Sequence, residues 1–456
     1  MRKLIEFQIL DRNAVHYGYD IFELMSNAGA RLAEHISNNI HKSDSIVFVC
    51  GYGNNAGDGY IAANLLQSEG FDAKICAVSE PKSNAAMKAA DDFGGKIHNI
   101  SDLENLASKN SLLIDCLLGS GIRGEPREPF AGIIKFLNQF PRILSVDIPS
   151  GFGTNNAVRP HQTLTFHDKK IGMSIETCGE IFVADVGFTK ELDELTGPGE
   201  LLLFPDFDRN KRKGQNGKVA IVGGGSYSGA PALAAMGAYR SGVDLVHVFV
   251  PESSYAQVSS FAPELIVHKL NGEVVDIEAI KLLKEGGFDS IVLGPGMGKN
   301  PKSLETVQKV LEYFDNIVID ADAISDYSFG DTKVILTPHK GELARLGIEG
   351  QRKDLMNFAK SNDLTILLKG DEDLITDGYF FKVNKTGHPR MSVGGTGDLL
   401  SGICGGLLAK GLSPFEACRL ASYSFGKAGE LCFDDFGAGF LPTDLALCIS
   451  KSLRKN

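Results

Sequence analysis

One aspartate near the C-terminal end, Asp398, directly follows a run of glycines whose backbone could hold an anion. Gly394, Gly395 and Gly397 permit positive φ, so several N–H groups can point at one place. A helix predicted from Gly397 onward would add unpaired N–H groups and the positive end of its dipole, which suits a phosphate. A carboxylate beside a phosphate is repelled unless it acts as a base or meets a metal. A catalytic base is therefore one interpretation of Asp398, and electrostatic capping of the helix is the alternative.

Three polar clusters in the first half of the chain each come directly after a predicted strand. A single cluster of Asn, Asp and Gly would be ordinary turn chemistry. Because the carboxyl ends of parallel strands meet at one edge of a sheet, three such clusters favour a shared binding crevice. The clusters are Asn54-Asn55-Ala56-Gly57-Asp58, then Asp115 with Gly119-Ser120-Gly121-Ile122-Arg123-Gly124-Glu125, and Asp147-Ile148-Pro149-Ser150-Gly151.

The elements that must position these residues alternate between strand and helix. Short apolar runs predict strands at 45–50, 73–78, 112–115 and 142–147 in the first half, and at 218–222, 245–250, 290–293, 316–320, 333–336 and 364–368 in the second. Helices are predicted at 19–38, 60–68, 85–93, 130–140 and 229–241. The polar, charged stretch 205–217 is the best linker candidate. We predict two doubly wound three-layer α/β/α domains, at residues 1–205 and 213–456.

Composition narrows the class of protein. The formal net charge of −11 argues against a broad nucleic-acid-binding face. Charged residues follow Met1 too soon for a signal peptide and no apolar run is long enough to span a bilayer, so we expect a cytoplasmic protein without membrane contact. The eight cysteines are scattered without a C-x-x-C pair, which is typical of reduced core residues.

The motifs of the first half resemble those of the NAD(P)H-hydrate epimerase family, up to about Leu203. The matching runs are Gly-x-Gly-Asn-Asn-Ala-Gly-Asp-Gly, Asp-Cys-Leu-Leu-Gly-Ser-Gly and Val-Asp-Ile-Pro-Ser-Gly. The resemblance implies a Rossmann-like domain that interconverts the R and S epimers of hydrated NADH or NADPH. It also implies substrate contacts from 54–58 and 119–125 and from Asp147, which would be the acid/base residue. It further implies a potassium ion bound by Asn55, Asp115 and Ser150, and such oxygen ligands suit a hard cation. Ala56 departs from the family's usual glycine.

Turns in the second half resemble those of the ribokinase-like fold and, within it, the ADP-dependent NAD(P)H-hydrate dehydratase family, from about Lys213 onward. The runs are Gly294-Pro295-Gly296-Met297-Gly298, Thr337-Pro338-His339-Lys340-Gly341-Glu342, Lys369-Gly370-Asp371-Glu372-Asp373 and Gly395-Thr396-Gly397-Asp398. The resemblance implies that Ala230, Gly298, His339 and Asp398 contact the hydrated cofactor. It implies that Lys369 to Asp373, Gly395, Thr396 and Gly397 bind ADP, with magnesium. Asp373 departs from the family's usual small or hydroxyl residue.

His339 has two possible interpretations. A lone histidine after a strand can simply bridge backbone groups, but the neighbours of His339 favour a site.

The hypothesis for Asp398 is that it removes the proton of the ring hydroxyl as this hydroxyl attacks the terminal phosphate of ADP. The phosphorylated group then departs from the ring, and the products of ADP are AMP and phosphate.

Two competing functions stay open at this point. A small-molecule kinase of the ribokinase-like fold, acting for example on a vitamin alcohol, would use the same Asp398 and the same anion site. The first half could then be a non-catalytic binding or sensor module, although Asn55, Asp115 and Asp147 argue against that. The expected partners are NADH and NADPH hydrates, ADP and further copies of the chain in a homo-oligomer.

Overall fold

The computed structural model describes residues 1–121 and 124–455, so the predicted substrate contacts Ile122 and Arg123 lie outside the described residues. The chain divides into two compact units, Met1–Asp193 and Glu194–Asn456. This division lies before the boundary predicted at residue 205. The segment after it packs with the second unit, where the buried Glu200 carboxylate accepts a 2.7 Å contact from the Arg419 guanidinium. Of the helices in the described ranges, none is both long and apolar enough to cross a membrane.

Within residues 1–121 and 124–193, the first unit contains a parallel sheet of seven strands. Its strands are β1 (Ser45–Cys50), β2 (Asp72–Ala77), β3 (Ile97–Asn99), β4 (Leu112–Cys116), β5 (Ile143–Val146), β6 (Gln162–Phe166) and β7 (Glu180–Ala184). Their order in the sheet is β3-β2-β1-β4-β5-β6-β7. The helices are α1 (Leu4–His16), α2 (Ile21–Asn39), α3 (Asn54–Ser68), α4 (Asn84–Asp91), α5 (Leu103–Leu106), α6 (Phe130–Leu137), α7 (Ile175–Cys178) and α8 (Lys190–Glu194), the last of which crosses the division.

Both faces of this first sheet are buried. Ile46 and Phe48 of β1 pack into one apolar cluster with residues of α2, α3 and α4. Val47 and Val49 point to the opposite face and pack with residues of α5 and α6. A continuous apolar run is what a strand covered on both faces requires. The predicted doubly wound arrangement is therefore confirmed for this unit.

Helix α3 begins at Asn54, six residues before the start predicted at Tyr60. The glycines expected in a turn lie inside the helix because neighbouring elements approach them closely. A Cβ on Gly57 would lie 2.3 Å from Met25 Sδ, and a Cβ on Gly59 would lie 2.8 Å from Cys116 Sγ. Helix α1 and strands β6 and β7 were not predicted.

In residues 194–455 the second unit contains a sheet of nine strands, in the order β10-β9-β8-β11-β12-β13-β14-β15-β16. The strands are β8 (Lys218–Val222), β9 (Leu245–Pro251), β10 (Ile266–Leu270), β11 (Ser290–Leu293), β12 (Ile317–Ile319), β13 (Val334–Leu336), β14 (Thr365–Leu368), β15 (Asp373–Thr376) and β16 (Phe381–Asn384). Pairing is parallel up to β14, and β15 and β16 add an antiparallel edge.

Helices cover this second sheet as predicted for a doubly wound unit. They are α9 (Ala230–Arg240), α10 (Glu252–Ser259), α11 (Glu278–Gly286), α12 (Pro301–Tyr313), α13 (Lys340–Leu343), α14 (Arg352–Ser361), α15 (Thr396–Ala409), α16 (Pro414–Phe436) and α17 (Pro442–Ser452). Short 3₁₀ turns lie at Ile100–Asp102, Pro198–Leu203, Ala321–Ala323, Ala344–Leu346, Pro389–Met391 and Gly437–Gly439.

Helices α9 and α15 pack side by side in the same direction, with their N-terminal ends together. Near those ends, a Cβ on Gly395 would meet Leu233 Cδ1 at 2.5 Å. Further along, a Cβ on Gly402 would lie 1.9 Å from the Ala234 carbonyl oxygen. Glycine at this position is what lets the two backbones approach so closely. The positive ends of both helix dipoles therefore point to the same region.

Candidate active sites of the two units

A cleft of about 570 Å³ lies at the carboxyl ends of β1, β4 and β5 in the first unit. Its position at the carboxyl edge of a parallel sheet is the one predicted from the three polar clusters. The predicted residues that line it are Asn54, Asn55, Asp58, Gly119, Ser120, Gly121 and Asp147.

Other predicted contacts of the first unit lie away from the wall of this cleft. The Ala56 methyl group is fully buried and packs in the core of this unit. Gly57 packs against Met25, as described above. Glu125 is exposed and accepts a 3.1 Å hydrogen bond from the Asn155 backbone N–H, next to Gly124, which has a φ of +81°. Proximity in sequence to the cluster does not bring these side chains to the cleft.

Asp147 projects into the cleft from a backbone with a positive φ of 66°. Lys170, whose side chain is buried, donates a hydrogen bond from Nζ to Asp147 Oδ1. The same ammonium group donates to Thr165 Oγ1 at 2.6 Å and to the Phe166 carbonyl at 3.0 Å, and it lies 4.2 Å from the centroid of the Phe7 ring. A buried ammonium held by three acceptors fixes the position of the Asp147 carboxylate. Sequence reasoning missed Lys170, which lies 23 residues after Asp147.

Two further carboxyl groups face Asp147, and one of them, Asp11, was not predicted. Asp11 keeps open surface toward the cleft, yet protein surrounds its carboxyl group closely enough that the loss of water, followed by the charge of Asp147, raises its pKa to about 6. Burial raises the pKa of Asp58 well above its usual range, and the charges of Asp147 and Asp11 add to this. The cleft therefore holds carboxyl groups in different environments, as acid and base chemistry requires.

The predicted potassium ligands lie at the ends of neighbouring strands. Ser150 Oγ donates to Asp115 Oδ1 at 2.5 Å and the Ser150 N–H donates to Asp115 Oδ2 at 2.9 Å. The Asn55 amide donates to the Val146 carbonyl at 2.9 Å. Burial raises the pKa of Asp115 even though four hydrogen bonds oppose the rise, and no cationic side chain pairs with it within residues 1–121 and 124–455. A buried carboxylate surrounded by hydroxyl and carbonyl oxygens fits a monovalent cation.

In the second unit, Asp398 lies in the first turn of α15, close to three other charged groups. Burial, followed by the charge of Asp320, raises the pKa of Asp398 to about 7, and Glu342 acts in the same direction while Lys369 opposes it. Lys369 Nζ donates to Asp320 Oδ1 at 2.8 Å. Burial alone would lower the pKa of Lys369, but the charges of Asp320, Glu342 and Asp398 outweigh it, so that this pKa is raised. A carboxyl group that titrates near neutral pH is suited to act as a general base.

Of the three glycines at the start of α15, only one has the positive φ that was predicted to help form an anion site. Gly395 has a φ of +101°, whereas Gly394 and Gly397 do not have positive φ, contrary to the prediction. Gly397 is already helical, and a Cβ there would lie 3.2 Å from Lys369 Nζ. The lysine ammonium and the free N–H groups of the first helical turn thus face one place.

His339 begins helix α13 and caps it with its side chain. His339 Nδ1 accepts hydrogen bonds from the Gly341 N–H at 2.9 Å and the Glu342 N–H at 3.2 Å, so its proton lies on Nε2. Its Nε2 is 3.4 Å from Glu342 Oε1, and more than half of the side chain remains exposed. His339 therefore does bridge backbone groups, as the alternative interpretation expected. Its exposed ring edge is still free to contact a ligand.

A cavity of about 350 Å³ lies beside the start of α15. The predicted nucleotide residues that line it are Lys369, Gly370, Asp371, Asp373, Thr396 and Gly397. The exposed Glu372 lies outside this lining and its carboxylate is 3.8 Å from Lys385 Nζ. Asp373 accepts hydrogen bonds from the Gly370 N–H at 3.2 Å and from Ser422 Oγ at 2.6 Å. Asp373, which departs from the family's usual residue, thus holds the loop in place through the two hydrogen bonds that its carboxylate accepts.

Ala230 and the predicted contact Gly298 belong to neighbouring segments. A Cβ on Gly296 would lie 3.2 Å from Ala230 Cβ, and a Cβ on Gly298 would lie 2.2 Å from Ser226 Oγ. The turn after β11 therefore lies against the segment that leads into α9. Because the N-terminal ends of α9 and α15 lie together, Ala230 is placed on the same side of the sheet edge as Asp398.

Comparison with known proteins gives matches in both units. A family model described as NAD(P)H-hydrate dehydratase matches residues 219–451, and one described as YjeF-related protein N-terminus matches residues 22–172. The bifunctional NAD(P)H-hydrate repair enzyme Nnr of Archaeoglobus fulgidus is 36% identical over 98% of this chain and 97% of its own. The enzyme of the same name from Methanothermobacter thermautotrophicus is 34% identical over 97% of this chain and 93% of its own.

Solved structures resemble the second unit. The ADP/ATP-dependent NAD(P)H-hydrate dehydratase from Bacillus subtilis, co-crystallised with ATP and Mg²⁺, is 26% identical, with a TM-score of 0.50, and the match covers 56% of this chain and 95% of that one. A ribokinase-like superfamily protein from Enterococcus faecalis is 24% identical with a TM-score of 0.50, covering 57% of this chain and 95% of that one. These likenesses confirm the predicted ribokinase-like fold.

Proposed function

The chain belongs to the family of bifunctional NAD(P)H-hydrate repair enzymes, and from that premise we propose that its two units perform two successive repair reactions. The first unit interconverts the R and S epimers of hydrated NADH or NADPH. The second unit dehydrates the S form to NADH or NADPH and converts ADP to AMP and phosphate. Hydration of the cofactor gives both epimers, so the pair of activities would repair either one.

The observation that carries the dehydratase proposal is the placement of Asp398 at the start of α15, within the electrostatic reach of Lys369. Hydroxide is a poor leaving group, and transfer of a phosphoryl group to the ring hydroxyl makes it a good one. Asp398 accepts the proton of that hydroxyl. Lys369 and the N–H groups at the start of α15 bind and neutralise the phosphoryl oxygens.

The epimerase proposal is supported by the first-unit cleft, in which Asp147 is oriented by Lys170. Asp147 holds or accepts a proton of the oxygen bound at the hydroxylated ring carbon. Asn54, Asp58 and Gly119 to Gly121 would bind the substrate.

Two ions belong to this proposal. Potassium bound by Asn55, Asp115 and Ser150 would supply a fixed positive charge next to the substrate phosphates. In the described part of the chain, no three His, Cys, Asp or Glu side chains form a metal-binding group. We therefore propose that magnesium enters the second unit on the nucleotide phosphates and has few protein ligands. The homo-oligomer, the cytoplasmic location and the domain ranges remain predictions from the sequence.

The test is to incubate the full-length protein with hydrated NADH and ADP and follow the absorbance of the reduced nicotinamide ring. Recovery of that absorbance together with release of phosphate is the expected result. A stable phosphorylated product without recovery would favour the kinase alternative and would contradict the dehydratase proposal. Supplying the R epimer alone tests the first unit. Because the second unit accepts only the S form, the R epimer is repaired quickly only if the first unit converts it to the S form faster than it converts spontaneously in buffer.

A further inference from the structure

Asp11 reaches the first-unit cleft from α1, while Asp147 reaches it from the end of β5. Phe7, Gln8 and Asp11 all line the cleft and occupy one side of the helix. Two contacts fix this side of α1 in place. The Gln8 amide donates to the Ser120 carbonyl at 2.7 Å, and the Phe7 ring lies under the Lys170 ammonium. The position of the Asp11 carboxyl group is therefore built into the fold.

The environments of these two carboxyl groups differ. Lys170 donates a hydrogen bond to Asp147 and holds its carboxyl group in place. Among the described residues 1–121 and 124–455, no side chain donates a hydrogen bond of this kind to Asp11, and the loss of water followed by the charge of Asp147 raises its pKa, while Lys170 and His167 act in the opposite direction. Asp58, on α3, faces both and is the most buried of the three carboxyl groups. Two carboxyl groups in one cleft, one with a raised pKa and the other bonded to a buried ammonium, are suited to separate acid and base roles.

We propose that Asp11 and Asp147 are the acid–base pair of the epimerisation, with Asp11 as the acid that protonates the departing hydroxyl group. This inference rests on the proposed function of the first unit. The hydroxylated ring carbon is bonded to the ring nitrogen, whose lone pair can replace the lost bond. Neither an oxidant nor a reductant is needed.

The Asp11 carboxyl group gives its proton to the ring hydroxyl, the C–O bond breaks, the nitrogen lone pair forms a C=N bond, and water leaves. Water then adds to the other face of the carbon, the C=N electron pair returns to nitrogen, and the Asp147 carboxylate takes the proton of the incoming water. Transfer of that proton through cleft water back to Asp11 restores the starting state. While the ring is cationic, both carboxylates stabilise it.

The experiment compares the full-length wild type with Asp11→Asn, Asp11→Glu and the matched control Asp92→Asn, whose exposed side chain lies at the end of α4. The interconversion of purified NADH-hydrate epimers is followed without nucleotide, so that the second unit does not consume the S form, and the uncatalysed rate is subtracted. We expect Asp11→Asn to lower kcat by at least about 100-fold with little change in KM. The wild-type kcat/KM should fall as the pH rises through about 6, where Asp11 loses its proton. Asp11→Asn should lose this pH dependence and Asp11→Glu should regain part of it.

The result that would overturn the inference is a wild-type kcat in Asp11→Asn, or a reduced kcat that keeps the wild-type pH dependence. Dehydration of the S epimer with ADP by the same preparations, and their thermal unfolding, show whether Asp11→Asn is folded. If it is not, Asp11→Ser is tested in its place, and a wild-type kcat, or a reduced kcat that keeps the wild-type pH dependence, overturns the inference. Failure of the wild type itself to interconvert the epimers would instead contradict the proposed function.

Discussion

Lys369 donates a 2.8 Å hydrogen bond to Asp320 while its ammonium group lies beside Gly397 at the start of α15. Asp320 is 1% exposed and also accepts a 2.8 Å hydrogen bond from Thr337 Oγ1, so the acceptor is itself held in place. A flexible lysine side chain is thereby fixed where a phosphate would bind. The following predictions depend on this group and on its counterparts in the first unit.

Replacing Asp398 by Asn removes the proposed base but keeps the size of the side chain. We expect the rate of dehydration to fall by about 10²–10⁴-fold. Nucleotide affinity should be kept or improved, since a negative charge beside the phosphate is lost. The measurements are absorbance recovery with S-NADH hydrate and ADP, and calorimetry with ADP. The rate of epimerisation in the same sample is the control, and a normal dehydration rate would refute the role of Asp398.

The pH dependence of dehydration should report the pKa of Asp398. That pKa is raised to about 7, so the active carboxylate form increases as the pH rises through about 7, and kcat/KM should rise with it. Asp320→Asn removes a charge that raises this pKa and should move the increase to lower pH. Asp322→Asn, a nearby carboxyl group that instead lies 4.0 Å from Arg345, is the control and should leave the profile in place. A profile that is flat between pH 5 and 9 in the wild type would contradict the assignment.

Lys369→Met should weaken nucleotide binding. Hydrogen bonds to charged groups contribute about 1.5–3 kcal/mol, which corresponds to a rise in Kd of roughly 10- to 150-fold. Calorimetric titration with ADP measures the change. The matched control is Lys360→Met, because Lys360 lies over the Tyr379 ring, 5.1 Å from its centroid, and does not line the nucleotide cavity. Equal affinities in the two variants would exclude a phosphate contact from Lys369.

Potassium should stabilise the folded first unit. A ligand present at 100 times its Kd adds about 2.7 kcal/mol to the free energy of unfolding, so Tm should be higher in KCl than in choline chloride at equal ionic strength. Ser150→Ala removes the hydroxyl that bonds to Asp115 and should abolish the difference between the two salts. The exposed Ser101→Ala is a control that should preserve it. The potassium proposal fails if the wild type has the same Tm in both salts.

The close packing of α9 on α15 should be sensitive to a single methyl group. A Cβ on Gly402 would lie 1.9 Å from the Ala234 carbonyl oxygen, so Gly402→Ala should lower the free energy of unfolding by about 1–3 kcal/mol. Gly439→Ala is the matched control, since its added Cβ would have no neighbour within 4 Å. Denaturant unfolding compares the two, and equal stability would show that the helices can separate at no cost.

Local sequence patterns were sufficient to predict most of the architecture. Unbroken apolar runs such as 45–50 and 218–222 coincide with β1 and β8. A strand buried on both faces needs apolar side chains at nearly every position, so such runs are easy to recognise. The polar clusters after β1, β4 and β5 led correctly to one cleft, since parallel strands place their ends at one edge. Asp398 could be singled out because the glycines before it are next to it in the chain.

The residues that were missed are those brought to the site by long-range packing. Lys170 and Asp11 come from segments without a glycine-rich motif, and only the fold places them beside Asp147. The helical spacing of Phe7 and Asp11 was a signal that could have suggested α1, although not its position. The role of Asp373 in holding its loop also depends on long-range packing, because its hydrogen bond with Ser422 on α16 could not be read from the loop sequence.

The shared direction of α9 and α15 has a consequence for how this unit could change its chemistry during evolution. Two aligned dipoles attract any transferable phosphoryl group but carry no information about which alcohol receives it. We expect the choice of acceptor to depend on the turns that contain Gly298 and His339, which lie outside α9 and α15. A scaffold divided in this way could exchange one acceptor for another while retaining its energy donor.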